Sequence, residues 1–161
     1  MKIETMRGLT VGFLLALCST ASLAASGGEG VVLSLNEGPN LLDQCRETPD
    51  ATAFWLPDSA QISELDNGFD AAAAAALAKR GERPSERGYN RQYIGVVAGG
   101  KKRIYVNAFF RDFDLADATS PLKDYWRTHA IQICDGGSYY FGAVYDPATK
   151  TFSDFAFNGG G

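Results

Sequence analysis

Asp58-Ser-Ala-Gln61-Ile62-Ser-Glu-Leu65-Asp-Asn-Gly68-Phe69-Asp-Ala71-Ala-Ala73-Ala-Ala-Ala76-Leu77-Ala-Lys79-Arg80-Gly81 is the stretch whose reading decides the fold. Ile62, Leu65, Phe69, Ala73, Ala76 and Leu77 recur at steps of three and four, the spacing of a single apolar stripe on a helix. Asp58 stands where an N-cap belongs, with Gln61 three residues on in capping-box position. Lys79 and Arg80 suit the negative end of the helix dipole, and Gly81 supplies a left-handed C′ residue. The spacing predicts one helix over 58–80. The alanine run 71–76 has high helix propensity and allows a sheet to approach closely, while Gly68 costs about 1 kcal/mol and marks a possible bend. One striped helix cannot bury its own apolar side, so a second layer must come from the rest of the chain.

That layer reads as β-structure. After a polar connector, 81–90, the hydrophobic period changes to two. Residues 91–97 and 101–110 are predicted strands joined by Ala98-Gly-Gly100, a strong hairpin signal. A third strand is predicted over 130–134, broken at Asp135-Gly-Gly137. A last hairpin pairs 138–145 with 151–158 across Asp146-Pro147-Ala-Thr-Lys150, where Pro147 fits a type I turn. In the connection 112–130, Ser120-Pro121 predicts an N-cap with Pro at the first helical position, and so one turn carrying Leu122, Tyr125 and Trp126. Upstream, residues 30–35 could form a short strand and the rest of 25–50 reads as an irregular arm. The expected architecture is α+β: one long helix on an antiparallel sheet of four to five strands, forming a single domain over 51–161.

The first 24 residues read as a secretory leader: basic Lys2 and Arg7, an apolar run over 9–18, then small residues ending in Ser22-Leu-Ala24. Cleavage is expected after Ala24. The apolar run is far short of the roughly 20 residues a spanning helix needs. Leu17 makes a poor lipobox for Cys18. Of the three cysteines, the mature chain then keeps Cys45 and Cys134. In a periplasmic or secreted protein these are expected to pair, tying the arm to a strand. The competing reading is two free or catalytic thiols, for which there is no Cys-x-x-Cys motif and no neighbouring histidine. Removing Lys2, Arg7 and Glu4 takes the 15 basic and 19 acidic residues to 13 and 18, and the net charge from −4 to −5. A mildly acidic chain without basic blocks argues against nucleic acid and anionic membrane as partners.

Catalytic equipment is sparse in the sequence. His129, the single histidine, has no nucleophile beside it. Ser120-x-x-Lys123 lacks the partner motifs of penicillin-binding enzymes, and the serine is better explained as a helix cap. Asp112, Asp114 and Asp117 resemble a calcium loop only superficially, because Ala116 and the missing glycine break the pattern. No zinc, dinucleotide or Walker spacing appears, so neither a metal nor a cofactor is expected. If the chain were a small hydrolase or ligand-modifying enzyme, with a pocket between helix and sheet, Asp112, Asp114 and His129 would be its acid–base candidates.

Aromatic placement is more telling. Ile104, Val106 and Ala108 fall on one face of a strand, and Arg103, Tyr105, Asn107 and Phe109 on the other. In the last hairpin, Tyr139, Phe141 and Tyr145 alternate with Tyr140, Gly142 and Val144. Both sheet faces therefore carry large side chains, and one helix can cover only one of them. The arm, the Tyr125-Trp126 segment or a partner must cover the other. Tyr, Trp and Arg together have the composition of a recognition surface. Tyr105, Phe109, Trp126, Tyr139 and Phe141 are the expected contacts with another protein or a cell-envelope ligand. An immunity or inhibitor protein is the most concrete version; a self-associating envelope component is a third reading.

Over residues 50–160 the chain also resembles a group of short exported bacterial proteins. The residues that carry the resemblance are Trp55-Leu-Pro57, Arg91-Gln-Tyr93-Ile-Gly95, Ile104-Tyr-Val-Asn107-Ala-Phe109, Asp135-Gly-Gly137, Tyr145-Asp-Pro147 and Phe157-Asn-Gly159. The resemblance implies a cystatin-like or NTF2-like arrangement, a helix wrapped by a curved sheet, and no particular chemistry. The Gln-x-Val-x-Gly hairpin of cystatins is missing, which counts against protease inhibition by that route.

Overall fold

A computed structural model describes residues 28–111 and 124–159. The leader, Asp112, Asp114, Asp117 and the Ser120–Lys123 turn lie outside the described residues. In chain order the elements are β1 (Gly30–Val32), the short helix α1 (Gly38–Leu42), β2 (Ala51–Trp55), α2 (Ser59–Ala78), β3 (Tyr89–Ala98), β4 (Lys101–Phe110), β5 (Tyr140–Asp146) and β6 (Thr151–Phe157).

Both ends of α2 are set by the side chains that the sequence offers. Asp58 Oδ1 accepts from the Gln61 backbone N–H at 2.8 Å, and Gln61 Oε1 accepts from the Asp58 N–H at 3.0 Å, a complete capping box. At the far end the Glu82 N–H reaches the Leu77 carbonyl and the Gly81 N–H the Ala78 carbonyl, a Schellman closure with Gly81 at φ 74°. Leu65, Phe69, Ala73 and Leu77 are buried. Each large apolar side chain among them contributes about 1.5–3 kcal/mol relative to exposure.

The sheet is mixed and has six strands among the described residues, which corrects the expected antiparallel four or five. β3, β4, β5 and β6 form an antiparallel meander. Gly99 and Gly100, at φ 56° and 73°, make the tight turn between β3 and β4, a geometry in which both central residues need positive φ. β1 and β2 both pair with the outer edge of β3, β1 in parallel and β2 antiparallel. Gly95 of β3 permits this: a Cβ there would lie 2.4 Å from the Trp55 carbonyl and 2.5 Å from its indole. The Trp55 Nε1–H also donates to the Val96 carbonyl at 3.1 Å.

The two faces of the sheet have separate cores. One, built from Tyr89, Tyr93, Ile104, Val106, Ala108, Phe141, Ala143 and Tyr145, packs under α2. The other contains Ile94, Val96, Tyr105 and Val144 and is covered by Leu33 and Leu41 of the arm, and Phe109 beside it is covered by Trp126 and Ile131. The chain itself therefore covers the second face, using both of the segments that the sequence offers.

Residues 130–134 form no strand, a second correction. Side-chain amides take the place of a ladder. Gln92 Oε1 accepts from the Ile131 N–H at 2.9 Å, the Asn107 Nδ2 donates to the Ile131 carbonyl at 2.9 Å, and the Asn158 Nδ2 donates to the Ile133 carbonyl at 2.5 Å. The Cys45–Cys134 disulfide joins this segment to the arm. No described helix is long and apolar enough to cross a membrane.

Candidate functional site

The five aromatic residues singled out by sequence do not share a surface. Tyr105 and Phe109 are 1% exposed, Trp126 7% and Phe141 0%, and only Tyr139, at 52%, faces solvent. Phe141 lies under α2, stacked 5.9 Å from Phe69 and edge-on to Tyr89 at 4.9 Å. Trp126 meets Phe109 edge-to-face at 5.5 Å on the opposite side of the sheet. Tyr139 packs against Phe110 at 5.3 Å.

Polar groups inside the domain are arranged as structural bonds. The Arg46 guanidinium donates to Asn158 Oδ1 at 2.6 Å, to Asn107 Oδ1 and to the Tyr105 hydroxyl at 3.3 Å. Burial pushes the Tyr105 phenol up, partly offset by the nearby Arg46 charge. Under α2, the Tyr93 hydroxyl donates to Asp66 Oδ1 at 2.5 Å and accepts from the Arg91 Nε at 2.8 Å. Burial raises that phenol far above its ordinary value, Asp66 raises it further and Arg91 opposes. Tyrosines raised in this way stay protonated and act as bonding groups. His129 is exposed, with its ring stacked 4.1 Å from that of Tyr125 and its Nδ1 2.9 Å from Thr128 Oγ1. Among the described residues, no cluster of His, Cys, Asp and Glu is placed to hold a metal ion.

The feature with binding geometry is a groove between α2 and β6. One edge of the sheet is closed by β1 and β2; β6 forms the other, and its outer side has no strand partner among the described residues. The groove encloses about 630 Å³. Ala72, Ala75 and Ala76 make one wall, Phe152, Phe155 and Phe157 the floor, and Lys79 and Arg80 stand at one end. Arg80 lies 4.7 Å over the Phe157 ring and pairs with Glu82 at 3.0 Å. At the other end Lys150 pairs with Glu64, which raises the lysine pKa.

A bulge produces this floor. Between the pairs Gly142↔Ala156 and Val144↔Ser153, β6 has one residue more than β5. Asp154 accommodates it at φ 51°. In an unbroken strand Phe152 and Phe155 would point to opposite faces, since their spacing is odd. The bulge returns Phe155 to the face of Phe152, and both pack toward α2. A regular alternation along the strand, with the alanine run as packing, does not give this phenylalanine floor, although a pocket between helix and sheet belongs to the hydrolase reading. The odd phenylalanine spacing around a polar Ser153-Asp154 pair was the available signal.

Compared with known proteins, the chain matches no family model, no curated protein and no solved structure.

Proposed function

We propose that the chain is an exported, non-catalytic binding protein whose ligand lies in the groove between α2 and β6. The observation that carries this reading is an apolar floor of three partly buried phenylalanines beside a strand edge that has no strand partner among the described residues. Open apolar surface bounded by polar residues is typical of interaction sites. Export is supported by the composition of the leader, and the Cys45–Cys134 pair is compatible with an oxidising compartment. A single long helix on one sheet face agrees with the cystatin-like, two-layer reading, to which the arm adds a cover on the other face. An immunity or inhibitor role against an envelope-directed protein is the most concrete form of the proposal.

A photo-activated cross-linking residue at Ala75, compared with one at Lys101 at the start of β4, tests the site. Both positions are exposed. One defined envelope species captured from Ala75 and not from Lys101 is the expected result. The same products from both positions would remove the groove from consideration.

A further inference from the structure

We infer that the ligand is an extended polypeptide segment that adds to the free edge of β6, with apolar side chains at alternate positions and a carboxylate at the Lys79 end. This rests on the groove being the binding site.

The geometry of the groove is that of a strand. Glu64 meets Lys150, Phe69 meets Phe152 at 6.1 Å and Arg80 covers Phe157, so α2 runs alongside β6 in the same direction. From Glu64 to Arg80 the helix rises about 24 Å, and β6 from Lys150 to Phe157 spans about 23 Å. The channel is therefore as long as the strand that floors it. Its helical wall is alanine, which lets another backbone come close. The outer N–H and C=O groups of β6 can bond a polypeptide backbone, as in β-strand addition. Enclosed ligand sites typically bury 70–90% of a small molecule. A channel open along its length suits a chain whose outer face remains in water.

Charge sets the polarity. Lys150 is neutralised by Glu64 and Arg80 by Glu82, whereas Lys79 has no ion pair among the described residues. Asp154 at the middle of β6 repels a second carboxylate there. One end of the channel is thus complementary to an acid and its centre is not.

The test uses the full oxidised chain and a display library of random peptides of about nine residues with free C-termini, long enough to span the strand. Enriched peptides are expected to alternate apolar residues and carry a carboxylate near one end. The best of them should slow amide hydrogen exchange in β6. Ala75→Glu should abolish enrichment, and Lys79→Glu should weaken the best peptide roughly fivefold to tenfold, as one exposed attraction becomes a repulsion. Both sites are exposed on the helix, so circular dichroism should be unchanged. Equal enrichment on Ala75→Glu, or slowed exchange elsewhere but not in β6, would overturn the inference. So would a concentration-dependent dimer that Ala75→Glu dissociates, since a second copy would then occupy the edge. Capture of an envelope species from Ala75 with unslowed β6 exchange leaves the binding site standing and removes strand addition. Failure of both cross-linking and enrichment removes both.

Discussion

Gln92 and Asn107 stand directly opposite each other on β3 and β4, and the Asn107 Nδ2 donates to Gln92 Oε1 at 3.0 Å. The pair is buried, with Gln92 fully inaccessible. Gln92 Nε2 also donates to the Trp126 and His129 carbonyls, while its Oε1 accepts from the Ile131 N–H. Two amides thus satisfy much of the segment that closes this face. Gln92→Leu keeps a similar volume but strands several buried backbone groups. It is expected to cost about 3 kcal/mol, or roughly 10 °C in Tm. Thermal denaturation followed by circular dichroism checks this, and a loss below 1 kcal/mol would mean that the cover does not depend on the amide.

The disulfide links residues 89 apart, and both half-cystines are exposed to solvent. On the chain-entropy view, closing such a loop stabilises the fold by roughly 4 kcal/mol. Guanidinium titrations with and without reductant should therefore differ by about this amount. Cys45→Ser with Cys134→Ser should behave like the reduced protein. Identical midpoints for the oxidised and reduced chains would show that the two cover segments hold without their staple.

Alkaline pH should destabilise the domain through Tyr93. Its folded phenol is raised above the ordinary 10.0, chiefly by burial. The folded state therefore holds its proton more tightly than the unfolded chain. That contribution is complete below about pH 10 and is lost as pH rises toward the folded value, at up to about 1.4 kcal/mol per pH unit. Tyr93→Phe should lower stability at neutral pH, because Asp66 and Arg91 lose a partner, and should flatten the alkaline slope. Denaturant titrations at several pH values separate the two effects; an unchanged slope in the variant would move the titration to another group.

Asp154 occupies a left-handed conformation that favours glycine. Asp154→Gly is expected to leave stability within about 1 kcal/mol of the parent, relieved strain being set against lost chain stiffness. Asp154→Val should lower it by about 1–3 kcal/mol and disturb the packing of Phe155 toward α2. Chemical shifts of the Phe152 and Phe155 rings report the phase of the strand. A stable valine variant with unaltered shifts would mean that the bulge does not need this backbone geometry.

Legibility in the sequence followed the range of the interactions. α2 was readable from cap to C′ because Asp58, Gln61 and Gly81 act on groups a few residues away. The Ala98-Gly-Gly100 turn is equally local. Residues 130–134 have the composition of a strand, but the partners of Ile131 are side chains of Gln92 and Asn107, far along the chain. β2 is only five residues long, and its strand is completed by the ladder that the edge of β3 offers it. The same long range hid the fate of Tyr105 and Phe109, whose burial depends on Leu41 and Trp126 arriving from elsewhere. The groove depends on one bulge, whose residue is aspartate and not the more telling glycine.

The joint occupation of one edge of β3 by β1 and β2 makes the arm and the strand that follows it a guard against aggregation. On β6 the bulge against β5, Asp154 and a neighbouring lysine would restrict pairing at the outer edge to segments that fit the groove beside α2. The Ile94-Gly-Val-Val97 edge of β3 has no charge and no bulge of its own, and relies chiefly on β2 to close it. A chain lacking residues 28–55 would present that edge bare, together with the apolar face that the arm covers, and is expected to be recovered in inclusion bodies. Solubility of this domain is thus vested in the part of its sequence with the least regular structure.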